Sequence, residues 1–144
     1  MKIIMGSDHG GFDLKEACKA HLDASSTHRI EDVGVFSRES SNYPEIGHQV
    51  ARAVAQGEFK MGILICGTGI GMSLVANRYR GVRACLCHNL FTARLSRQHN
   101  DANILAMGGR VIGVGLALEM VDLFLETPFD GGRHEVRVNQ IDTI

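Results

Sequence analysis

The sequence predicts an α/β protein in which a parallel five-stranded sheet carries helices on both faces. Short apolar runs alternate along the chain with longer segments whose apolar residues recur at helical spacing. Glycines and polar residues separate these segments, as is typical of the turns between strands and helices. The chain has 144 residues and no recognisable linker, so we expect a single domain over residues 1–144.

Five short apolar runs are the predicted strands. In chain order they occupy residues 2–6, 29–33, 62–66, 82–87 and 104–107. The third run is the clearest, because it contains β-branched residues and is bounded by glycine. The second is weaker, because charged residues interrupt it.

Helical patterns fill the segments between these runs. The predicted helices occupy residues 13–22, 44–56, 70–77, 90–98 and 114–125. Asp13 is well placed to cap the first helix, and Pro44 suits the first turn of the second, which Gly57 ends. The last helix has the strongest apolar periodicity, as expected for a helix with one buried face.

Composition and charge exclude several classes of protein. Lys and Arg number 15 and Asp and Glu 16, so the net charge of −1 does not favour a nucleic-acid partner. The longest uncharged stretch, residues 61–76, contains four glycines and is shorter than the roughly 20 apolar residues of a membrane span. The first residues carry no secretion signal, so we expect a cytoplasmic protein whose four cysteines are thiols.

The segment 66–71, CGTGIG, follows the third predicted strand. Ligands of parallel sheets bind outside the carboxyl ends of the strands, so this segment is a candidate site. Its alternating glycines allow successive N–H groups to form a cradle for an anion. It differs from a dinucleotide-binding fingerprint because residue 72 is Met, and no Walker lysine follows it. The alternative is a tight turn that serves close packing.

Cys66 begins that segment, at the end of a strand and before a helix, where a thiol ionises readily. A thiolate beside an anion cradle suits proton abstraction next to a carbonyl, or nucleophilic attack. The alternative is an inert buried cysteine, and the residues alone leave both interpretations open. We assign Cys18, Cys85 and Cys87 to structural roles. We expect no metal site, because Cys85, Cys87 and His88 lack the spacing of zinc ligands.

Other polar residues are candidates of lower specificity. Asp8 and His9 follow the first strand, where a carboxylate and an imidazole indicate binding or proton transfer, with helix capping by Asp8 as the alternative. His99 ends a predicted helix, where a favourable interaction with the helix dipole is the simpler interpretation. On a helix, Arg133 and Arg137 would share one face, which suits phosphate, although a solvated surface is the simpler interpretation.

Six segments together resemble the ribose-5-phosphate isomerases of type B. They are GSDHGGFDLK, NYPEIGHQVA, ILICGTGIGMSLVANR, GVRA, ARLSRQHNDANILAMGGRV and FDGGRHEVRV, in the order of that family and over essentially the whole chain. The wider family includes isomerases of allose 6-phosphate and galactose 6-phosphate. The resemblance implies a Rossmann-like three-layer α/β/α fold, a phosphorylated sugar as substrate, and no metal or organic cofactor. It also implies a homodimer or tetramer with the active site between two chains.

The resemblance assigns roles to residues of this chain. It implies that Cys66 is the base that moves a proton between C1 and C2, and Met72 places the chain in the branch that uses cysteine rather than glutamate. It implies that His99 donates a proton as the sugar ring opens, with Asp8 nearby. The implied catalytic set is Cys66, His99, Asp8 and Thr68. The implied substrate-binding set is Asp8, His9, Tyr43, Gly67, Thr68, Gly69, Ile70, Gly71, Asn100, Arg110, Arg133 and Arg137.

Within that set, the N–H groups of residues 67–71 would stabilise the enediolate and the arginines would bind phosphate. The leading expectation is therefore the interconversion of D-ribose 5-phosphate and D-ribulose 5-phosphate. One alternative is an isomerase of a six-carbon sugar phosphate, because one carbon changes binding by only about 1–3 kcal/mol. Another is a non-catalytic phosphate- or nucleotide-binding module, because a fold does not determine a function.

Overall fold

A computed structural model describes residues 1–143 of the chain, and strands and helices alternate along it as predicted. The five predicted strands and five predicted helices are all present, and a short sixth helix follows them. The elements are β1 (Lys2–Ser7), α1 (Phe12–Ser25), β2 (Arg29–Asp32), α2 (Tyr43–Ala55), β3 (Met61–Cys66), α3 (Ile70–Ala76), β4 (Ala84–Leu86), α4 (Leu90–Asn100), β5 (Ile104–Gly108), α5 (Val114–Glu126) and α6 (Arg133–Val138).

The five strands form one parallel sheet in the order β2-β1-β3-β5-β4. At its centre, Met5 of β1 pairs with Ile63 of β3, and Ile63 pairs with Leu105 of β5. The chain leaves β1 towards one side of the sheet and leaves β3 towards the other. The loops after these two strands therefore diverge, and such a divergence opens a crevice for a ligand at the carboxyl edge of the sheet.

Helices cover both faces of the sheet, which confirms the predicted three-layer α/β/α architecture. On one face, Ile63 and Ile65 pack among residues of α1, α4 and α5, with the fully buried Phe124 in the same cluster. On the other face, Leu64 packs among residues of α2 and α3, including Val50. Strands buried on both faces consist of continuous apolar runs, which is why these runs were recognisable in the sequence.

Most element boundaries differ from the predicted ones by one to three residues, and the starts of β4 and α1 show why. β4 begins at Ala84 rather than at residue 82, because the N–H of Arg83 donates to the Asn103 side chain and the strand ladder starts with Ala84 beside Ile104. The predicted capping by Asp13 is wrong: α1 begins at residue 12 and has no side-chain capping hydrogen bond. Among residues 1–143, no helix combines the length and apolar character needed to cross a membrane.

A buried ion pair joins α1 to β2. Lys15 is completely buried, and its Nζ lies 2.6 Å from Oδ2 of Asp32. Burial alone acts to raise the pKa of Asp32, but hydrogen bonds from Lys15 and from the N–H of Gly34 hold it below its ordinary value. The Lys15 Nζ also lies 5.3 Å from the centroid of the Phe36 ring. Sequence reasoning missed this pair, because a lysine in a sequence usually indicates an exposed position.

Candidate active site

A pocket of about 440 Å³ lies at the carboxyl edge of the sheet, where the loops after β1 and β3 diverge. It is lined by Asp8, Tyr43, Cys66, Gly67, Thr68, Ile70, Gly71, Leu74 and Arg110. All of these residues except Leu74 were expected in the site. The strand ends that the sequence indicated therefore meet around one pocket.

Cys66 is the last residue of β3 and is only 5% exposed, yet it forms part of the pocket wall. Its Sγ accepts a hydrogen bond of 3.1 Å from the N–H of Gly69. A donor directed at sulfur stabilises a thiolate more than a neutral thiol, because the thiolate carries the charge. The sulfur is therefore largely buried, as the inert interpretation required, but it also lies beside a donor and at the pocket surface.

The other cysteines have different surroundings. Residues 18, 66, 85 and 87 are all free thiols, as predicted. Burial raises the pKa of Cys18 to about 12 and that of Cys85 to about 11. Burial also raises the pKa of Cys87. These three thiols stay protonated near neutral pH, which agrees with the structural roles predicted for them.

The glycines of the loop after β3 make room for the pocket. Gly69 has a φ of 78°, a left-handed conformation that glycine adopts without strain. A side chain at Gly71 would come within 2.6 Å of the Tyr43 ring, so this glycine lets the aromatic ring approach the loop. The N–H groups of Gly67, Thr68 and Gly71 have no acceptor among the described residues, and they remain free for a ligand.

Asp8 and His9 are held by different partners. Oδ1 of Asp8 accepts the N–H of Gly11 at 3.1 Å, so this carboxylate does bond to the residue that precedes α1 while it lines the pocket. Nδ1 of His9 accepts the N–H of Ser41 at 3.2 Å, and the N–H of His9 donates to Oγ of Ser41 at 3.1 Å. His9 is thus tied to the loop before α2. Ser41 is a partner that sequence reasoning missed, because it lies far from residue 9 in the chain.

Arg110 supplies the positive charge of the pocket. It follows β5, and its N–H donates to the carbonyl oxygen of Gly67 at 3.0 Å. Its side chain lies along the same glycine, with Nη1 3.5 Å from the place that a Cβ at residue 67 would occupy. An exposed guanidinium over free N–H groups favours an anionic ligand.

The remaining predicted residues lie away from this pocket in the single chain. His99 and Asn100 are at the end of α4, which runs from the carboxyl edge of the sheet back to its amino edge. The carbonyl oxygen of Asn100 accepts a hydrogen bond from Nε of Arg83, directly before β4, which places it at that edge. Arg133 and Arg137 are on α6, which packs against α4. One chain therefore brings together the cysteine half of the predicted site and, separately, the histidine and arginine half.

A second cluster surrounds His99. Its ring stacks on that of His134, with centroids 4.2 Å apart and ring planes 8° apart. Among the described residues, ligand atoms of His99, Asp130 and His134 lie within 4.8 Å of one another, which is the kind of group that can hold a metal ion. Sequence reasoning missed His134, although it stands within the GGRHEVR segment that carried the resemblance.

The fold and the pocket define a class: an α/β protein that binds a small anionic molecule at the carboxyl edge of a parallel sheet. Comparison with known proteins is more specific. A family model described as Ribose/Galactose Isomerase matches residues 3–141, and the chain belongs to that family.

Individual relatives agree with this assignment over nearly their full length. The chain is 50% identical over 143 residues to ribose-5-phosphate isomerase B of Escherichia coli, covering 99% of this chain and 95% of that protein. It is similar to the structure of ribose-5-phosphate isomerase B of Clostridium thermocellum, with a TM-score of 0.96, 50% identity, and 99% and 95% of the two chains covered. The ribose 5-phosphate isomerase structure of Thermotoga maritima also has a TM-score of 0.96, with 51% identity and 99% and 98% covered.

Proposed function

We propose that the chain interconverts D-ribose 5-phosphate and D-ribulose 5-phosphate, with Cys66 as the base. One observation supports this choice above the others: the Sγ of Cys66 lies in the pocket wall, beside the Gly69 N–H and next to free backbone donors. Proton abstraction next to a carbonyl needs a base and fixed donors for the charge that develops on oxygen. Both are present within one loop.

The chemical step is a proton transfer between adjacent carbons. The Cys66 thiolate removes the C2 proton of the open-chain aldose, and the electron pair moves through C1 to the carbonyl oxygen O1. The free N–H groups of the loop after β3 stabilise the resulting enediolate. The proton on the O2 hydroxyl passes to O1, and Cys66 returns its proton to C1, which gives the ketose. Thr68 suits the relay between oxygens, because its Oγ1 accepts the N–H of Ile70 at 3.3 Å and keeps its own proton to donate.

A second copy of the chain completes the site in this proposal. Four predicted residues lie at the edge of the sheet opposite the pocket of their own chain: His99, Asn100, Arg133 and Arg137. They would therefore serve the pocket of the other copy. Ile70 and Leu74 leave large apolar side chains exposed at the pocket, which a second copy would cover. Arg110 of one copy and the two arginines of the other would then bind the phosphate together.

Ring opening precedes the isomerisation, because ribose 5-phosphate is cyclic in solution. His99 of the second copy donates a proton to the ring oxygen as the bond from C1 to that oxygen breaks. Asp8 accepts the proton of the anomeric hydroxyl, and C1 becomes the aldehyde carbon. Oδ1 of Asp8 is engaged with Gly11, which leaves its other oxygen for this proton. His9 and Tyr43 hold sugar hydroxyls in this arrangement.

A six-carbon sugar phosphate is the second candidate substrate. The family described for residues 3–141 includes galactose isomerases by its name, and one extra carbon changes binding by only about 1–3 kcal/mol. Two relatives at 50% identity are nevertheless named ribose-5-phosphate isomerase B, which favours the five-carbon sugar. A comparison of kcat/KM for ribose 5-phosphate, allose 6-phosphate and galactose 6-phosphate separates the candidates. We place the reaction in the cytoplasm, where free thiols persist.

The test is turnover of ribose 5-phosphate by the purified chain with EDTA present. We expect ribulose 5-phosphate to form without added metal, and we expect the exchange of the C2 proton with solvent to require Cys66. Absence of turnover on every sugar phosphate, together with thermal stabilisation by nucleotides, would instead identify a non-catalytic binding module.

A further inference from the structure

We propose that His134 is a positioning residue for His99: its ring holds the His99 ring in the orientation from which a proton reaches the substrate. This inference rests on the proposed isomerase function and deepens it. The observation is the stack itself, with centroids 4.2 Å apart and planes only 8° from parallel. Neither ring nitrogen of His99 makes a hydrogen bond to any of the residues that the structure describes, so the stack is the contact that orients this ring.

The chain between α5 and α6 is built to deliver His134 to this place. Nε of Arg97 donates to the carbonyl oxygen of Thr127 at 3.2 Å, and the N–H of Asp130 donates to the carbonyl oxygen of Gln98 at 3.1 Å. Both bonds attach the connecting segment to the last turn of α4, which also carries His99. The two stacked rings are therefore positioned from one rigid element.

Two glycines then turn the chain into α6. Gly131 and Gly132 have φ values of 64° and 56°, both in the left-handed region that other residues rarely adopt. The N–H of His134 donates to the carbonyl oxygen of Gly131 at 3.0 Å, which closes the turn. Sequence reasoning assigned no role to this glycine pair. In the structure, the turn at Gly131 and Gly132 determines the backbone position from which the His134 side chain extends towards His99.

A face-to-face contact restricts His99 without consuming its nitrogens. The lone pairs and N–H bonds of an imidazole lie in the ring plane, whereas the stack uses its face. The His99 ring can thus be fixed by His134 and still offer an edge nitrogen to a sugar oxygen. A hydrogen bond to the same ring would fix it equally well but would occupy one nitrogen.

The charges around the cluster favour this role over that of a metal site. The lone pairs of two stacked rings lie in two separate, nearly parallel planes, so they do not converge on one ion in the observed rotamers. Arg133 and Arg137 also lie near enough to lower the pKa of His134. Local positive charge disfavours a divalent cation and suits the phosphate of the substrate.

His134 is suited to remain neutral beside a proton donor. Burial is the largest cause that lowers its pKa, and the charge of His99 acts in the same direction, while Asp130 opposes them. A neutral ring next to His99 does not compete with it for the proton.

The test compares His134→Ala, which removes the stacking face, with His134→Phe, which keeps a flat ring and removes both nitrogens. We expect His134→Ala to lower kcat for ribose 5-phosphate roughly tenfold to a hundredfold, as for a misplaced catalytic group. Because ring opening then limits the rate, the primary isotope effect with C2-deuterated substrate should shrink. His134→Phe should stay close to the unmodified chain in both measurements. Val136→Ala, an exposed change on the same helix, is the control.

Ring dynamics provide a readout that does not depend on turnover. In an NMR relaxation experiment, the His99 ring should become more mobile in His134→Ala than in His134→Phe. Unchanged His99 mobility and unchanged kcat in His134→Ala would overturn the positioning role. So would a loss in His134→Phe as large as in His134→Ala, or stoichiometric binding of Zn²⁺ that His134→Ala abolishes. A chain that shows no turnover but has a restrained His99 ring would contradict the proposed function and leave the stack in place.

Discussion

The two ends of the sheet present opposite kinds of surface. At the carboxyl edge, the pocket around Cys66 is formed by loops that bond to one another through the main chain, as Arg110 does with Gly67. At the amino edge, His99 and the α6 arginines stand at helix ends and on a helix surface. In the proposed reaction, the carboxyl edge would supply the base and the oxyanion donors, and the amino edge would supply the proton donor and further cations for phosphate. The difference is what the proposed two-chain site requires, because each chain would then contribute one half to each of two sites.

Loss of the base should have the largest effect. Cys66→Ala removes the group that accepts the C2 proton, so we expect kcat to fall by about 10³-fold, within the range for general bases. Binding of inorganic phosphate should be unchanged, because the arginines remain. Cys85→Ala, a change at a protonated cysteine, should retain the activity of the unmodified chain. A Cys66→Ala variant with normal kcat would contradict the assignment of the base.

Mixing two inactive variants tests whether the halves belong to one site. Cys66→Ala disables one end of the sheet and His99→Ala the other. After co-refolding of equal amounts, half of the randomly paired dimers should contain one chain of each variant, and each of these mixed dimers has one complete site out of two. About one quarter of all sites should therefore be active. The measurement is activity against mixing ratio. No recovery in verified mixed dimers would show that both residues act from the same chain.

Removal of one arginine of α6 should have a smaller effect, on binding rather than on chemistry. Arg137→Ala removes a hydrogen bond to a charged group, worth about 1.5–3 kcal/mol, so KM for ribose 5-phosphate should rise roughly tenfold to a hundredfold. The kcat should change little. Arg38→Ala, which removes an exposed arginine paired with Asp13, is the matched control. A fall in kcat without a change in KM would contradict a phosphate-binding role.

A change at the buried ion pair between α1 and β2 should affect stability rather than activity, and it should alter how stability depends on pH in the acid range. The pKa of Asp32 is held below its ordinary value of 3.8 in the folded chain. Its ionised form therefore stabilises the fold fully above pH 3.8, and this stabilisation is lost as the pH falls through the lower folded-state pKa. Urea unfolding at a series of pH values measures the slope. In Asp32→Asn this slope should be smaller, while the fold is already weakened at pH 7 because the buried Lys15 keeps only the half-exposed Glu16 as an ionic partner.

Some elements were predictable because their local chemistry is decisive. The run that ends in Cys66 is apolar on both faces, so it could only be a buried central strand. The glycines after it were recognisable as a close-approach loop, and the structure shows what approaches: the ring of Tyr43 at Gly71. In contrast, the predicted cap at Asp13 was wrong, because Asp8 from the preceding loop supplies the carboxylate that bonds to Gly11 instead.

Other features depend on distances that a sequence does not contain. Nothing local indicates that Lys15 is buried, because its partner Asp32 lies on another element. Nothing local indicates that His134 stacks on His99, because the positions of both rings depend on how the segment after α5 attaches to α4. Such contacts join residues far apart in the chain, and their energies exist only after the elements have packed.

By itself, the sequence determined the order of strands and helices, the glycine loop with its cysteine, and the types of side chain available for chemistry. These follow from periodicity, backbone freedom and functional groups, which are local properties. Only the tertiary structure decided that the predicted residues divide between opposite edges of the sheet. The physical reason is that a helix returns the chain across the sheet, so residues at its two ends cannot meet within one copy.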